Sequence, residues 1–191
     1  MVGSRVWERF GANIHNYEKL ETLLKKNNYL IHLAAILGTS ETITTYDVED
    51  VVKTNVLGTT NILEACKRKN VNRFVFASTI YVYSELGSFY RSSKQACELI
   101  IENYFEEYDL NYTILRYGSL YGRRANQFNF IRNAVIQALL DKKIDRKGDG
   151  NEVRDYVHVK DAAKASVKIL TDEFVNSHSL LIKKNIKEFK D

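Results

Sequence analysis

Three short runs along the chain are apolar almost without interruption: Tyr29 to Ala35, Arg73 to Thr79 and Tyr112 to Tyr117. Each has the length of a strand and lacks the alternation of a sheet with one wet face, which predicts strands buried on both sides. Between them apolar residues recur at helical spacing. From Val48 to Lys69 these are Val51, Val52, Val56, Ile62, Leu63, Ala65 and Cys66. From Ser88 to Tyr108 they are Ala96, Leu99, Ile100 and Tyr104, the apolar side of a second predicted helix. Gly118 and Gly122 break the chain after the third strand. A helix near Phe130 to Asp141, a turn at Gly148-Asp149-Gly150, a short strand over Arg154 to His158 and a helix from Lys160 to Leu170 complete the pattern. After Asp172 the periodicity is lost and no element is predicted.

Alternating buried strands and helices imply βαβ units, hence a parallel sheet covered on both faces. The expected fold class is therefore α/β, in one domain over residues 1–172 followed by a poorly determined tail over residues 173–191. A length of 191 residues allows a sizeable single core, and 45% hydrophobic with 27% charged residues is ordinary for a globular protein. No apolar run is long enough to span a membrane, and the Met1-Val2-Gly3-Ser4-Arg5 start does not read as a signal peptide, so a cytoplasmic location without membrane attachment is expected. The net charge of +4 sits largely in Lys25-Lys26 and in the lysines between Lys183 and Lys190. Such runs read as solvated faces rather than nucleic-acid contacts. Cys66 and Cys97 each fall inside a predicted helix and read as two reduced, buried thiols.

Chemistry enters at Tyr90 and Lys94, four residues apart at the head of a predicted helix and therefore on one face, one turn apart. The strand ending in Ser78-Thr79 offers a hydroxyl beside the phenol. A phenol near its usual pKa of about 10 is a poor base at neutral pH. A neighbouring ammonium favours the phenolate and would lower that pKa. The three groups together could move a proton on or off an alcohol, although a Tyr–Lys pair on a helix surface would also arise from packing alone.

With that trio in place the sequence resembles the extended short-chain dehydrogenase/reductases, in particular the NAD-dependent sugar-nucleotide epimerase/dehydratase branch, from about Asn13 to about Leu170. The resemblance implies a Rossmann-like doubly wound parallel sheet, NAD (or NADP) as cofactor, no metal, and a nucleotide-sugar substrate oxidised at a hydroxyl. It implies Thr79, Tyr90 and Lys94 as the catalytic residues, with Lys94 also bonding the cofactor ribose. It further implies that the charge of the oxidised nicotinamide joins Lys94 in favouring the phenolate, and that residues 1–172 are a partial NAD-binding domain with the start of a substrate lobe. His32-Leu33-Ala34-Ala35 resembles the strand end along the cofactor diphosphate, which brings in Leu33, Ala34 and Ala35. Thr54-Asn55-Val56-Leu57-Gly58-Thr59 resembles a helix segment whose asparagine braces the active-site backbone. Asn13 and Ile14 stand where relatives carry Asp-Ile against the adenine, and Ser78 and Tyr117 join the implied cofactor contacts. Arg154-Asp155-Tyr156-Val157-His158 resembles a signature whose arginine holds the substrate diphosphate through its planar fork, with Ser119 as a further substrate contact. His158 reads as a hydrogen-bonding structural residue.

Two departures from the pattern shape the expectation. The dehydratases follow the catalytic threonine with Asp-Glu, whereas Ile80 and Tyr81 stand here, so 4,6-dehydration is disfavoured against epimerisation or simple oxidoreduction. The glycine-rich turn Gly-x-x-Gly-x-x-Gly that opens the family is absent, as is the C-terminal part of the substrate lobe, and only Ile80 to Phe89 separate Thr79 from Tyr90. The expected sheet is thus incomplete, with an exposed edge at Tyr29–Ala35 that favours a homodimer or self-association. Two readings follow: an epimerase whose chain is impaired by itself, or a non-catalytic remnant or interaction module of the same fold.

Overall fold

The computed structural model describes residues 14, 20–22, 24, 29–36, 47–145, 153–170 and, for the backbone alone, 179–182. Strand β1 (Tyr29–His32) pairs in parallel with β2 (Arg73–Thr79), Tyr29 opposite Arg73 and His32 opposite Phe76. β3 (Tyr112–Tyr117) lies beyond β2, and β6 (Ser179–Ile182) beyond β3, giving the order β1-β2-β3-β6. A second, two-stranded parallel sheet joins β4 (Ser119–Tyr121) to β5 (Tyr156–His158). Within the stretch where the sequence pattern predicted nothing, β6 therefore supplies a strand.

Consecutive residues of β2 and β3 point to opposite faces, and Phe74, Val75, Phe76, Ile114 and Leu115 are all fully buried. The continuous apolar runs thus mark strands covered on both sides. β1 is shorter than the run that predicts it. Its ladder stops at His32, and the backbone N–H and C=O of Ile36 are taken by the Asn55 side chain instead of a neighbouring strand.

The helix predicted over Val48 to Lys69 is three segments: α1 (Val48–Val51), a π-helical stretch (Val52–Leu57) and α2 (Gly58–Arg68). A π-helical turn widens the helix by one residue and is often associated with function. Apolar spacing cannot distinguish it from a regular helix. Gly58 packs closely on Ile14, whose Cδ1 would lie 2.8 Å from a Cβ there and would have to shift. Helix α3 (Ser88–Tyr108) has the predicted bounds, and α4 (Phe130–Leu140) and α5 (Val159–Lys168) follow.

The chain divides into two compact units. The first comprises residues 1–116 with 176–180, the second residues 117–175 with 181–191. The core of the first unit gathers Ile14, Leu20, Leu63, Phe74, Phe76, Ile101 and Ile114, and also takes in both cysteine side chains. Each such side chain contributes about 1.5–3 kcal/mol by leaving water. Among the described residues no helix is long and apolar enough to cross a membrane.

Candidate active site at the end of strand β2

Thr79 is the last residue of β2 and the cap of a 3₁₀ turn, Ile80–Tyr83, its hydroxyl accepting from the Tyr81 N–H at 3.3 Å. The chain then reverses through Gly87 at φ 100°, where a Cβ would crowd Tyr81 Cβ and Arg91 Cβ. That left-handed residue sets the start of α3. It brings Tyr90, on the first turn, back beside Thr79.

One turn on, Lys94 is 2% exposed. Its ammonium donates to the Ala77 carbonyl at 2.9 Å and lies 4.3 Å from the centre of the Phe76 ring and 5.9 Å from that of Tyr90. Burial holds the Lys94 pKa down to about 8, against a partial restoring effect of Cys97 and Glu98. The Tyr90 phenol moves the other way. Burial pushes it up to about 12, although the Thr79 hydrogen bond opposes the shift. Burial is the largest cause of that rise, and the Lys94 ammonium is directed at the Ala77 carbonyl.

Asn55, 1% exposed in the π-helical stretch, satisfies its whole amide. Its Oδ1 accepts from Ile36 N at 2.7 Å, and its Nδ2 donates to Ile36 O at 3.0 Å and to Ser93 Oγ at 2.9 Å. Ser93 in turn donates to the Tyr90 carbonyl at 2.8 Å. One side chain thus ties the end of β1 to the first turns of α3. The Asn55 carbonyl accepts from Thr59 Oγ1 at 2.6 Å and from Cys97 Sγ at 3.1 Å.

His32 Nε2 lies 3.0 Å from Thr59 Oγ1. Because the Thr59 proton goes to the Asn55 carbonyl, His32 must carry its own proton on Nε2. The ring is neutral: burial, aided by Lys94, lowers its pKa to about 3.

The other expected residues divide between the two units. In the first, Ile14 is buried against Gly58 and its carbonyl accepts from Asn61 Nδ2 at 3.1 Å, while Asn13 lies outside the described residues. Ala34 is buried, Ala35 half-buried and Leu33 exposed at the end of β1. Ser78 commits its hydroxyl to Glu98 Oε1 at 2.5 Å. In the second unit, Tyr117 shares a 2.5 Å hydrogen bond with Ser166, and burial raises its pKa. Ser119 is half-buried in β4 and Arg154 is exposed just before β5. His158 accepts from Lys160 N through Nδ1, which caps α5, and its ring meets Tyr121 edge-on at 5.2 Å.

Glu98, Arg116, His32 and Ser93 were missed as contributors to the site. Glu98 carried a signal, since it stands four residues beyond Lys94 and eight beyond Tyr90, a charged residue on a helix face otherwise turned to the core. Among the described residues no three His, Cys, Asp or Glu side chains gather to hold a metal ion.

A profile of the NAD dependent epimerase/dehydratase family matches residues 3–182. The UDP-glucuronate 4-epimerase of Thermodesulfobacterium geofontis is 29% identical over 185 residues, covering 87% of this chain and 57% of that relative. The dTDP-glucose 4,6-dehydratase of Mycolicibacterium smegmatis is 30% identical over 166 residues, covering 78% of this chain and 49% of that relative. Among solved structures, the UDP-glucuronic acid 4-epimerase of Bacillus cereus, in complex with UDP-glucuronic acid and NAD, superimposes with a TM-score of 0.78 at 28% identity. That match covers 90% of this chain and 58% of the solved one. The chain thus spans about half to three-fifths of the length of these relatives. Its fold is the Rossmann-like α/β arrangement they share.

Proposed function

The chain belongs to the NAD dependent epimerase/dehydratase family, of the extended short-chain dehydrogenase/reductase type, and from that premise we propose that its site serves reversible oxidation of a nucleotide-sugar hydroxyl, as in epimerisation. The observation that carries the reading is the return of Tyr90 to the end of β2, beside Thr79, on the same helix face that buries the Lys94 ammonium.

In this reading Tyr90 removes the proton of the sugar hydroxyl as hydride leaves its carbon, and returns it when hydride is delivered back. Thr79 holds that hydroxyl in line. Lys94 fixes the cofactor ribose and places a positive charge near the phenolate as it forms. The bound dinucleotide supplies the hydride acceptor and donor. The residues present suit it: small Ala34 and Ala35 leave room beside the end of β1, and Lys94 has ammonium protons beyond the one given to Ala77. Arg154, exposed and preceding β5, is the residue for the substrate diphosphate, and Ser119 a second substrate contact. Ile80 and Tyr81 carry no carboxyl group, which favours epimerisation or oxidoreduction over elimination of water.

The sequence contains no Gly-x-x-Gly-x-x-Gly turn, which favours a second reading in which this chain by itself binds NAD weakly and turns over little. Calorimetric titration of the purified chain with NAD should then show no saturation at low micromolar concentration, and clear saturation there would overturn the impaired reading. The catalytic reading is tested separately by Tyr90→Phe. Removing the phenolic hydroxyl while keeping the ring should lower sugar-nucleotide oxidation by about 10²–10⁴-fold, the usual worth of general acid–base catalysis. Turnover equal to that of the unaltered protein would refute the role of Tyr90.

A further inference from the structure

Behind the proposed catalytic trio lies a second cluster that its chemistry does not use. Tyr90, Lys94 and Glu98 follow one another at four-residue spacing along one face of α3, and the Glu98 side chain is only 8% exposed. Its carboxylate accepts from three directions: Ser78 Oγ at 2.5 Å, Arg116 Nε at 3.1 Å and Arg116 Nη2 at 2.6 Å. Arg116, at the end of β3, also donates through Nη1 to the Tyr83 hydroxyl, and its guanidinium lies 4.9 Å from the centre of the Tyr83 ring.

Each partner matters for where the trio sits. Ser78 immediately precedes Thr79. Tyr83 closes the 3₁₀ turn that Thr79 caps. Glu98 stands on the helix that presents Tyr90 and Lys94. The carboxylate and guanidinium therefore fasten both sides of the Thr79–Tyr90 pair, the strand end and the helix, to a common point, and reach the segment leading away from Thr79. A buried ion pair is a poor source of stability, since desolvation offsets most of its attraction. A planar fork engaged on two sides is a good source of fixed geometry.

We propose that Glu98, gripped by Arg116, is a positioning residue that sets Thr79 against Tyr90 and Lys94 and couples the Ile80–Tyr83 turn to that arrangement. The importance of this for turnover rests on the catalytic reading of the trio. The geometric claim does not. Glu98 also adds negative charge near the Lys94 ammonium. Cys97, on the same helix, also acts on Lys94, which in turn faces the neutral His32 of β1, with the Tyr90 ring one turn away.

The test uses the full chain and a readout that needs no turnover: the ¹³Cε and ¹⁵Nζ resonances of Lys94 followed against pH, with the Thr79 methyl and Tyr83 ring signals recorded in parallel. Glu98→Gln keeps the shape but removes the charge and turns an amide toward Arg116. It should lower the Lys94 midpoint by at least about half a pH unit and displace the Thr79 and Tyr83 signals. Arg116→Lys keeps a cation but not the fork. It should displace Thr79 and Tyr83 while moving the Lys94 midpoint much less. Unchanged Thr79 and Tyr83 signals in folded Arg116→Lys protein would overturn the proposal, as would an unmoved Lys94 midpoint in folded Glu98→Gln protein. Should Glu98→Gln lose its near-ultraviolet dichroism, Arg116→Lys decides by itself. An inactive Tyr90→Phe alongside unmoved signals would refute positioning and spare the catalytic reading; the reverse pattern would do the opposite.

Discussion

His32 shows how a single buried side chain fixes a pH response. Its folded pKa of about 3 lies far below the ordinary 6.5, so the folded protein keeps the ring neutral while the unfolded chain protonates it as soon as pH falls below 6.5. The unfolded state then binds more protons, and stability present above pH 6.5 is lost progressively down to about pH 3. The slope is about 1.4 kcal/mol per pH unit, or about 2 kcal/mol between pH 6.5 and 5. Urea unfolding across that range should show this slope, and His32→Asn should remove it whatever its effect at pH 7; equal slopes for the two proteins would contradict a neutral His32. Lys94 acts in a separate window. Its folded pKa of about 8 lies below 10.5, so its contribution should raise stability as pH climbs from about 8, until the raised Tyr90 pKa reverses the trend above pH 10.

At the level of elements, register depends on a few close backbone approaches. Gly118 joins β3 to β4, and a Cβ there would lie 2.4 Å from the Asp155 carbonyl oxygen, which accepts from Ser119 N at 2.7 Å. That oxygen belongs to the backbone and cannot swing aside. Gly118→Ala should therefore separate β4 from β5 and cost about 1–3 kcal/mol, the usual loss at overpacked sites. Amide hydrogen exchange at Leu120 and Val157 should accelerate while that at Phe74 and Phe76 stays slow. Uniform acceleration in both sheets would mean that the substitution unfolds the whole chain instead. The strand pair also sets Ser119 opposite Tyr156, so the variant should weaken any substrate contact through Ser119 and Arg154 before it disturbs Thr79 and Tyr90.

For the molecule as a whole, strand order carries the main consequence. Among the described residues β1 has a ladder neighbour on one side only, β2. An open strand edge with apolar side chains is a template for pairing with another chain. The apparent mass of the purified chain in light scattering should accordingly rise with concentration. A constant monomer mass across the series would show that the edge is covered. The family relatives spanned only in part by this chain give the same experiment a second use, since a version extended at both ends should lose the concentration dependence if the added segments cover β1.

The bounds of β2, α3 and β3 were legible in the sequence because their patterns are local: unbroken apolar runs for strands buried twice over, and a four-residue recurrence for a long helix. The Tyr90–Lys94 spacing was legible for the same reason. The family likeness also followed from residues close in sequence, such as the runs around Asn55 and Arg154. What escaped the sequence depended on partners distant along the chain. The π-helical stretch differs from a regular helix in hydrogen bonding, not in which residues are apolar. β6 consists of four residues whose strand state comes from lying beside β3. The raised pKa of the Tyr90 phenol was not legible from a neighbouring lysine, because its largest cause is burial, which exists only in the packed fold. Glu98 needed Ser78 and Arg116, 20 and 18 residues away, before its place on the helix acquired a purpose. Local periodicity determined which segments are strands and helices, while desolvation and long-range hydrogen bonds, which exist only once those segments pack, decided the protonation and geometry of the site.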